Sequence, residues 1–179
     1  MKKRVIFNQQ EIEDSVLRIA REIIDRHQSM DDVVLVGIRT CGAFLAKRLQ
    51  EAIAQMNVPK PPTGVLDITL YRDDFSMGLP QPVVGKTEIP FSLKDKKVIL
   101  VDDVLYTGRT ARAAMDALID FGRPKFIRLA VLVDRGLREL PIQADFVGKR
   151  IVTSPREEIV VLFREAGGDD RVILQEKLG

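Results

Sequence analysis

The chain has 179 residues, of which 45% are apolar and 30% are charged, a balance typical of folded globular proteins. Its formal net charge of +2 excludes a polycation, so any attraction for nucleic acid must come from a local basic patch. The one cysteine, Cys41, excludes an internal disulfide and a zinc site made of several cysteines, which fits a reducing interior.

The N-terminal sequence does not have the pattern of a targeting segment. MKKRVIFNQQEIED has a basic opening but too few consecutive apolar residues for a signal peptide. No stretch of the sequence approaches the ~18 apolar residues of a membrane span. We therefore expect a soluble, cytoplasmic protein with one domain over residues 1–179 and a sizeable core.

Apolar residues recur with helical spacing in some segments and form short continuous runs in others. In chain order, these patterns predict a helix over 9–28, a strand over 33–36, a loop over 37–42, a helix over 43–56, a strand over 65–71, a strand over 96–101, a helix over 110–122 and a strand over 126–133. Strands that alternate with helices imply a mostly parallel sheet covered on both faces.

Two regions depart from this alternation. Residues 72–90 are rich in proline, glycine and mixed charges, and at about 19 residues they exceed the usual length of a structureless loop, which is typical of a functional lid or a disordered segment. Residues 144–148, 157–163 and 171–175 have the pattern of short strands. They predict a small β-rich appendage in the C-terminal third.

The stretch VILVDDVLYTGRT (98–110) places two carboxylates between a buried strand and a helix. Ligands of open α/β sheets collect at the carboxyl ends of the strands, where Asp102 and Asp103 can accept hydrogen bonds from ribose hydroxyls or help to hold a hydrated Mg²⁺. Residues 106–110 then offer free helix amides and threonine hydroxyls, which form an anion cradle. The combination suits a sugar 5-phosphate, and a turn capped by aspartates is the structural alternative. Neither GxxxxGK[ST] nor GxGxxG occurs.

These residues closely resemble the phosphoribosyl-diphosphate (PRPP) fingerprint of type I phosphoribosyltransferases. DITLYRDD (67–74), the longer stretch 98–120, GRPKFIRLAVLVDRG (122–136) and RELPIQADFVGK (138–149) resemble, more narrowly, the PyrR family of pyrimidine-operon attenuation regulators with uracil phosphoribosyltransferase activity. The resemblance implies an α/β, type I phosphoribosyltransferase fold, with a central mostly parallel sheet flanked by helices. It also implies a flexible loop over about 72–90 and a small C-terminal β-rich hood.

The resemblance implies a role for each group of site residues. The catalytic residues would be Asp102 and Asp103, on the ribose hydroxyls, and Arg72, on the diphosphate. The 5-phosphate would be bound by Val104, Leu105, Tyr106, Thr107, Gly108, Arg109 and Thr110. The diphosphate would be bound by Arg39, Thr40, Cys41, Asp134 and Arg135. Mg²⁺ would be carried by the substrate, with Asp102 and Asp134 as contacts through water, and the hood would read the base.

One departure from the family pattern lies in the diphosphate loop, GIRTCG (37–42). The family commonly has Thr-Arg-Gly where this chain has Thr40-Cys41-Gly42, and a cysteine cannot supply the charge and the forked donors of an arginine. Arg39 is expected to compensate, and a plain strand-to-helix turn is the structural alternative. His27, the only histidine, is expected to be a surface or capping residue.

The resemblance also implies an RNA-binding face. The basic residues that match this face are Arg18, Arg26, Arg39, Arg138 and Lys149, and Arg21 keeps a positive charge where the family has histidine. Leu17 and Gln143 stand where threonine and arginine are common, and each lost charge-assisted contact costs on the order of 1–3 kcal/mol. A solvated basic face is the alternative interpretation.

The resemblance implies two compatible functions. The first is an enzyme that makes UMP and diphosphate from uracil and PRPP, and the second is a UMP/UTP-responsive protein that binds pyrimidine-operon leader RNA and attenuates transcription. A regulator with little turnover and a transferase without RNA binding stay open as alternatives. A purine-base transferase shares the PRPP fingerprint but not RELPIQADFVGK. The resemblance further implies a homodimer or a higher homo-oligomer.

Overall fold

The computed structural model describes residues 3–73 and 85–177. In chain order, the elements are β1 (Lys3–Phe7), α1 (Gln9–Asp25), β2 (Val33–Ile38), α2 (Cys41–Gln55), β3 (Thr63–Leu66), β4 (Lys97–Leu105), α3 (Arg109–Asp120), β5 (Phe126–Asp134), β6 (Phe146–Arg150), β7 (Glu157–Leu162) and β8 (Arg171–Glu176). Short 3-10 helices lie at Thr69–Tyr71 and Arg164–Ala166. No helix within these residues has the length and apolar character needed to cross a membrane.

Among the described residues, five strands form a sheet in the order β3-β2-β4-β5-β6, and every neighbouring pair is parallel. The parallel sheet predicted from the alternation of strands and helices is therefore confirmed. Both faces are covered, because Leu35 of β2 packs in a core with α1 and α2, whereas its neighbour Val36 packs in a second core with α3. Every residue of β2 is buried, which explains its continuous apolar run.

Helix α1 begins with a reciprocal cap. The Asn8 side chain accepts a hydrogen bond from the Glu11 amide at 3.0 Å, and the Glu11 carboxylate accepts one from the Asn8 amide at 2.8 Å. The helix ends at Asp25, earlier than the predicted residue 28, and His27 Nδ1 lies 2.6 Å from the Ile23 carbonyl oxygen in its last turn.

His27 is buried, so the expectation of a surface residue is wrong, although its contact with Ile23 is a capping contact. Its ring stacks on Phe126, and its Nε2 lies 3.1 Å from Arg128 Nη1. Burial lowers the pKa of His27, the hydrogen bond with Ile23 opposes this shift, and the positive charge of Arg128 adds to it. The neutral ring is therefore the form that suits the folded protein.

Two strand boundaries differ from those predicted. β3 ends at Leu66 and is followed by a 3-10 turn, because the Asp67 carboxylate accepts hydrogen bonds from the amides of Thr69 and Gly85, both at 2.8 Å. β4 continues through both aspartates to Leu105, because β5 is equally long and pairs with it over that whole length. The two carboxylates thus lie within the last part of a strand.

The small sheet has the order β1-β8-β7 and is antiparallel. This small sheet corresponds to the hood that was expected from the C-terminal third, and we call it the hood. β1 was not predicted, and it adds N-terminal residues to the hood. The segment 144–148, predicted in the β-rich appendage, instead contributes to β6 of the parallel sheet. Phe146 is fully buried there, and a Cβ added at Gly148 would collide with the Leu132 carbonyl oxygen, so a glycine permits this close pairing.

Candidate functional site

A cleft of about 260 Å³ opens where β4 passes into α3, at the carboxyl end of the parallel sheet. Its lining residues come from this turn and from the chain after β3: Arg72, Asp73, Asp102, Val104, Leu105, Tyr106, Thr107, Gly108, Arg109, Thr110 and Ala111. The structure therefore brings Arg72 and Asp102 together with the whole segment predicted to hold a 5-phosphate.

The segment after β5 holds the carbonyl groups of this turn. The Tyr106 carbonyl oxygen accepts a hydrogen bond from Arg138 Nη1 at 2.9 Å, and the Thr107 carbonyl oxygen accepts from the amides of residues 139 and 140 at 2.9 and 3.1 Å. The Arg109 amide donates to the Thr107 hydroxyl oxygen at 3.3 Å. Because the carbonyls face the segment after β5, the other amides of the turn and of the first turn of α3 can be directed at an anion in the cleft.

Gly108 is the position in the turn that requires a glycine. Its φ of +93° lies in the left-handed region, and it precedes the first residue of α3. A Cβ at this position would lie 3.3 Å from Ile142 and 3.4 Å from Leu140. The glycine therefore allows both the backbone conformation of the turn and its packing against the segment after β5.

The two aspartates of β4 differ in their surroundings, because Asp103 is half-buried and is not among the residues that line the cleft. Asp102 is buried and lines the cleft, and its Oδ1 accepts a hydrogen bond from the Asp103 amide at 2.9 Å. Burial raises the pKa of Asp102 well above its ordinary value, and the negative charge of Asp103 raises it further. A hydroxyl donor or a cation that enters the cleft would strongly stabilise the charged form of a buried carboxyl of this kind.

The loop after β2 lies beside the same strand. A Cβ added at Gly37 would collide with the Gly42 carbonyl oxygen, and one added at Gly42 would collide with the carbonyl oxygen of Val101 in β4. Both glycines therefore allow the loop to lie directly against β4. Arg39 extends from this loop and donates from Nη2 to the Lys86 carbonyl oxygen at 2.6 Å.

Cys41 begins α2 next to the aspartates. Its half-buried Sγ lies 3.9 Å from the Val161 carbonyl oxygen of β7. Burial raises the pKa of Cys41 to about 12, and the negative charges of Asp103 and Asp102 contribute to this shift. The thiol is therefore protonated and neutral at physiological pH, so it supplies none of the positive charge of an arginine.

Asp134 and Arg135 are engaged by other parts of the protein. Asp134 Oδ1 accepts a hydrogen bond from Arg138 Nη2 at 2.7 Å. The Arg135 guanidinium is buried and donates to groups in residues 153–157. Neither residue lines the 260 Å³ cleft, so the structure does not bring them together with Asp102 and Arg72. Their assignment to diphosphate stays a prediction.

Four predicted RNA-binding residues lie along α1 and β6, and we call them the basic strip: Arg18, Arg21, Arg26 and Lys149. Arg18 donates to the Val147 carbonyl oxygen of β6 at 3.2 Å, which fixes α1 against that strand. Arg26 Cζ lies 4.9 Å from the centre of the Phe146 ring, and Lys149 Nζ lies 4.6 Å from that of Phe7. Arg138 lies apart from the strip, because its donors hold Tyr106 and Asp134.

Two acidic residues near the cleft, Asp73 and Glu139, were not predicted. Arg109 donates from Nη1 to Asp73 at 2.7 Å and from Nε to Glu139 at 2.6 Å. These contacts connect the phosphate turn to the chain after β3 and to the segment after β5. Arg72, a predicted site residue, directly precedes Asp73 and could have drawn attention to it. The ion pairs themselves join residues that are far apart in sequence, so no local sequence pattern reveals them.

Part of the predicted flexible loop, 72–90, can be located. Arg72 and Asp73 lie at the cleft, and Val65 exchanges two backbone hydrogen bonds of 2.8 Å with Glu88, which places the returning chain beside β3. Residues 74–84 lie outside the described residues. Within 3–73 and 85–177, no three His, Cys, Asp or Glu side chains form a group that could hold a metal ion.

Comparison with known proteins gives consistent matches over most of the chain. The phosphoribosyl transferase domain family matches residues 5–164. A "Bifunctional protein PyrR" from Pelotomaculum thermopropionicum is 54% identical, over 97% of this chain and 96% of that protein. Another from Geobacter sulfurreducens is 53% identical, over 96% and 97%.

A solved structure extends the comparison to the fold. A hypoxanthine phosphoribosyltransferase from Staphylococcus aureus aligns with a TM-score of 0.71, over 97% of this chain and 92% of that one. The identity is only 22%, so this likeness concerns the fold alone.

Proposed function

Because the chain belongs to the PyrR family of phosphoribosyltransferases, we propose that it transfers ribose 5-phosphate from PRPP to uracil and releases UMP and diphosphate. Its fold is the type I phosphoribosyltransferase fold that was predicted, with a parallel sheet, flanking helices and a separate small sheet. The observation that carries the proposal is the cleft in which the buried Asp102 adjoins the amide-rich turn before α3.

Substrate binding would use both parts of this cleft. The 5-phosphate would lie on the amides of residues 106–110, with the hydroxyls of Thr107 and Thr110 and the dipole of α3 as further contributions. Asp102 and Asp103 would accept hydrogen bonds from the ribose hydroxyls. The anomeric carbon is thereby directed along the sheet edge toward the loop after β2, where the diphosphate would leave.

Charge stabilisation is the main task of the protein in this reaction. Loss of diphosphate leaves positive character at the anomeric carbon, which the carboxylates of Asp102 and Asp103 stabilise. With Cys41 neutral, Arg39 and Arg72 are the side chains that would balance the negative charge of diphosphate. When bound on the substrate, Mg²⁺ supplies further neutralisation of that charge, and the oxygen donors of the two aspartates are of the kind it prefers.

Uracil-dependent formation of UMP from PRPP and Mg²⁺ tests this function. Asp103→Asn is expected to lower turnover about 10²–10³-fold, the size of effect seen when one electrostatic contact to a transition state is removed. Asp31→Asn is a matched control, because Asp31 is exposed and its partner Ser29 lies in the same loop before β2, at the amino edge of the sheet. A protein that binds UMP but makes none would contradict the transferase and leave a nucleotide sensor.

We propose, as a second function, that the protein binds pyrimidine-operon leader RNA in response to UMP or UTP and attenuates transcription. The basic strip is the observation that favours it, since Arg18 and Arg26 contact β6, Arg21 lies on α1 and Lys149 lies on β6. These side chains would face RNA phosphates in a homodimer or higher homo-oligomer. Leu17 and Gln143, both exposed, cannot supply the contacts of the family's threonine and arginine.

Binding of a pyrimidine leader RNA with and without UMP tests this second function. UMP is expected to tighten binding, and Arg21→Glu is expected to weaken it and to reduce its dependence on salt. Arg123→Glu makes the same charge change at an exposed position between α3 and β5, outside the strip. Equal losses in both variants, or no effect of UMP, would favour a transferase without RNA-linked regulation.

A further inference from the structure

The aromatic ring of the phosphate turn has an unusual neighbour. The guanidinium carbon of Arg135 lies 4.0 Å from the centre of the Tyr106 ring, and Lys177 Nζ lies 5.2 Å from the same centre. The Arg135 amide donates to the carbonyl oxygen of Leu105, the last residue of β4, at 3.0 Å. Arg135 therefore contacts the phosphate turn with its side chain and the end of β4, directly before that turn, with its main chain.

The donors of the same guanidinium are used on the hood side. Nε donates to the Thr153 hydroxyl at 3.0 Å, and Nη2 donates to the carbonyl oxygens of Ser154 and Glu157 at 3.1 and 2.7 Å. Glu157 is the first residue of β7. Only 4% of Arg135 is exposed, so these contacts are shielded from water. One buried side chain thus joins the phosphate turn to the chain that enters the hood.

We propose that Arg135 is a positioning residue that sets the distance between the 5-phosphate site and the hood, so that both ends of a nucleotide bind at once. The proposal rests on the function proposed above, in which the hood reads the base. It also replaces the predicted role of Arg135 as a diphosphate ligand, because its donors are directed at the hydroxyl and carbonyl groups of residues 153–157.

The chemistry of arginine suits this task. A planar guanidinium can stack on an aromatic ring with its face while its N–H groups donate in the plane, whereas the compact ammonium of lysine cannot do both. When two subsites are held at a fixed distance, binding one end of a ligand raises the effective concentration of its other end. Loosening the link should therefore weaken a ligand that spans both subsites and spare ligands that occupy only one.

The test compares one spanning ligand with its two halves. Affinities for UMP, ribose 5-phosphate and uridine are measured by calorimetry or NMR titration on the full chain and on Arg135→Lys. The dissociation constant of UMP is expected to rise about tenfold or more, while those of ribose 5-phosphate and uridine change less than about twofold. Arg128→Lys is the matched control, because Arg128 also stacks on an aromatic ring, Phe126, but at the opposite end of β5.

A second variant guards against a fold defect in Arg135→Lys. Tyr106→Leu removes the stacked ring and keeps the backbone amides of the turn, and it is expected to weaken UMP binding in the same selective way. Because both changes break the same link, the double variant with Arg135→Lys should lose no more than about twofold in UMP affinity beyond either single variant. A loss shared equally by ribose 5-phosphate and UMP, or unchanged UMP affinity, would overturn the proposal. A wild-type protein that fails to bind UMP would instead contradict the proposed function.

Discussion

The turn after β4 and the loop after β2 lie at the same edge of the sheet, and both are proposed to face anionic groups, yet they are built differently. The turn offers backbone amides, which are fixed by carbonyl contacts with the segment after β5. The loop depends on side chains, and at Cys41 it has a neutral thiol where the resemblance leads us to expect an arginine. A site built from the backbone is insensitive to most substitutions, whereas one built from side chains changes with each of them.

The largest expected effect on turnover comes from Asp102, in strand β4 beside both regions. Asp102→Asn removes the carboxylate charge while keeping the shape of the side chain, and we expect turnover to fall about 10²–10³-fold. The free protein should not lose stability, because burial raises the pKa of Asp102 and makes its charged form costly. Steady-state kinetics and thermal unfolding measure the two effects, and a parallel loss of stability would show that the carboxylate is structural.

The pH dependence of stability is a second test of Asp102. Because the pKa of Asp102 is raised in the folded protein, the native state holds the proton more tightly than the unfolded chain. Its contribution to the free energy of unfolding is therefore largest at acidic pH, and it falls as the pH rises from about 4 toward the raised pKa. Urea unfolding of the wild type against Asp102→Asn over that range isolates this slope.

Gly108→Ala tests whether the turn depends on its backbone conformation. The substituted residue would have to keep a left-handed φ of +93° and pack against Ile142 and Leu140, so we expect a loss of about 1–3 kcal/mol in stability and weaker UMP binding. Gly167→Ala is a control, because its φ of +91° is similar but no atom lies within 4 Å of its added Cβ. UMP affinity that falls equally in both variants would contradict a specific role for the turn.

Cys41→Arg tests the side-chain half of the comparison. A guanidinium here would lie near the carboxylates of Asp103 and Asp102 and could donate to diphosphate, so kcat/KM for PRPP is expected to rise about tenfold, the size of one charge-assisted contact. Cys41→Ser, which stays neutral, should leave kcat/KM within about twofold. A gain in the serine variant alone would show that the thiol obstructs the loop and that charge is not what it lacks.

The smallest effect is expected far from both loops, at His27. Burial lowers the pKa of this histidine in the folded protein, so the unfolded chain binds the proton more tightly. The free energy of unfolding should stay constant above about pH 7 and decrease as the pH falls below about 6.5. His27→Gln should remove this part of the pH dependence without changing UMP affinity, and a persistent slope would assign it to other groups.

The parts of the fold that could be predicted are those whose determinants are contiguous. The turn before α3 follows directly from β4 in the sequence, so residues 98–110 contain the strand, the carboxylates and the helix start together. Apolar periodicity likewise located α1, α2 and α3 to within a few residues. The boundaries of β3 and β4 were missed because they depend on the Asp67 side chain and on the length of β5.

The unpredicted features depend on residues that are distant in sequence. His27 is buried because Phe126 and Arg128 cover it, and neither has any signature near residue 27. Arg138 matched an RNA-binding position, but its contacts with Tyr106 and Asp134 occupy it at the phosphate turn. Periodicity reveals which residues a segment buries, but not which distant segment it meets.

The pairing of β1 with β8 bears on the order in which the chain acquires its structure. Lys3 lies opposite Gln175, so β1 cannot form its hydrogen bonds until β8, far along the chain, is in place. Contacts across such a long stretch of chain close slowly, because the entropy of a large loop must be lost first. We therefore expect the parallel sheet, whose strands lie closer together in the sequence, to form before the hood during refolding.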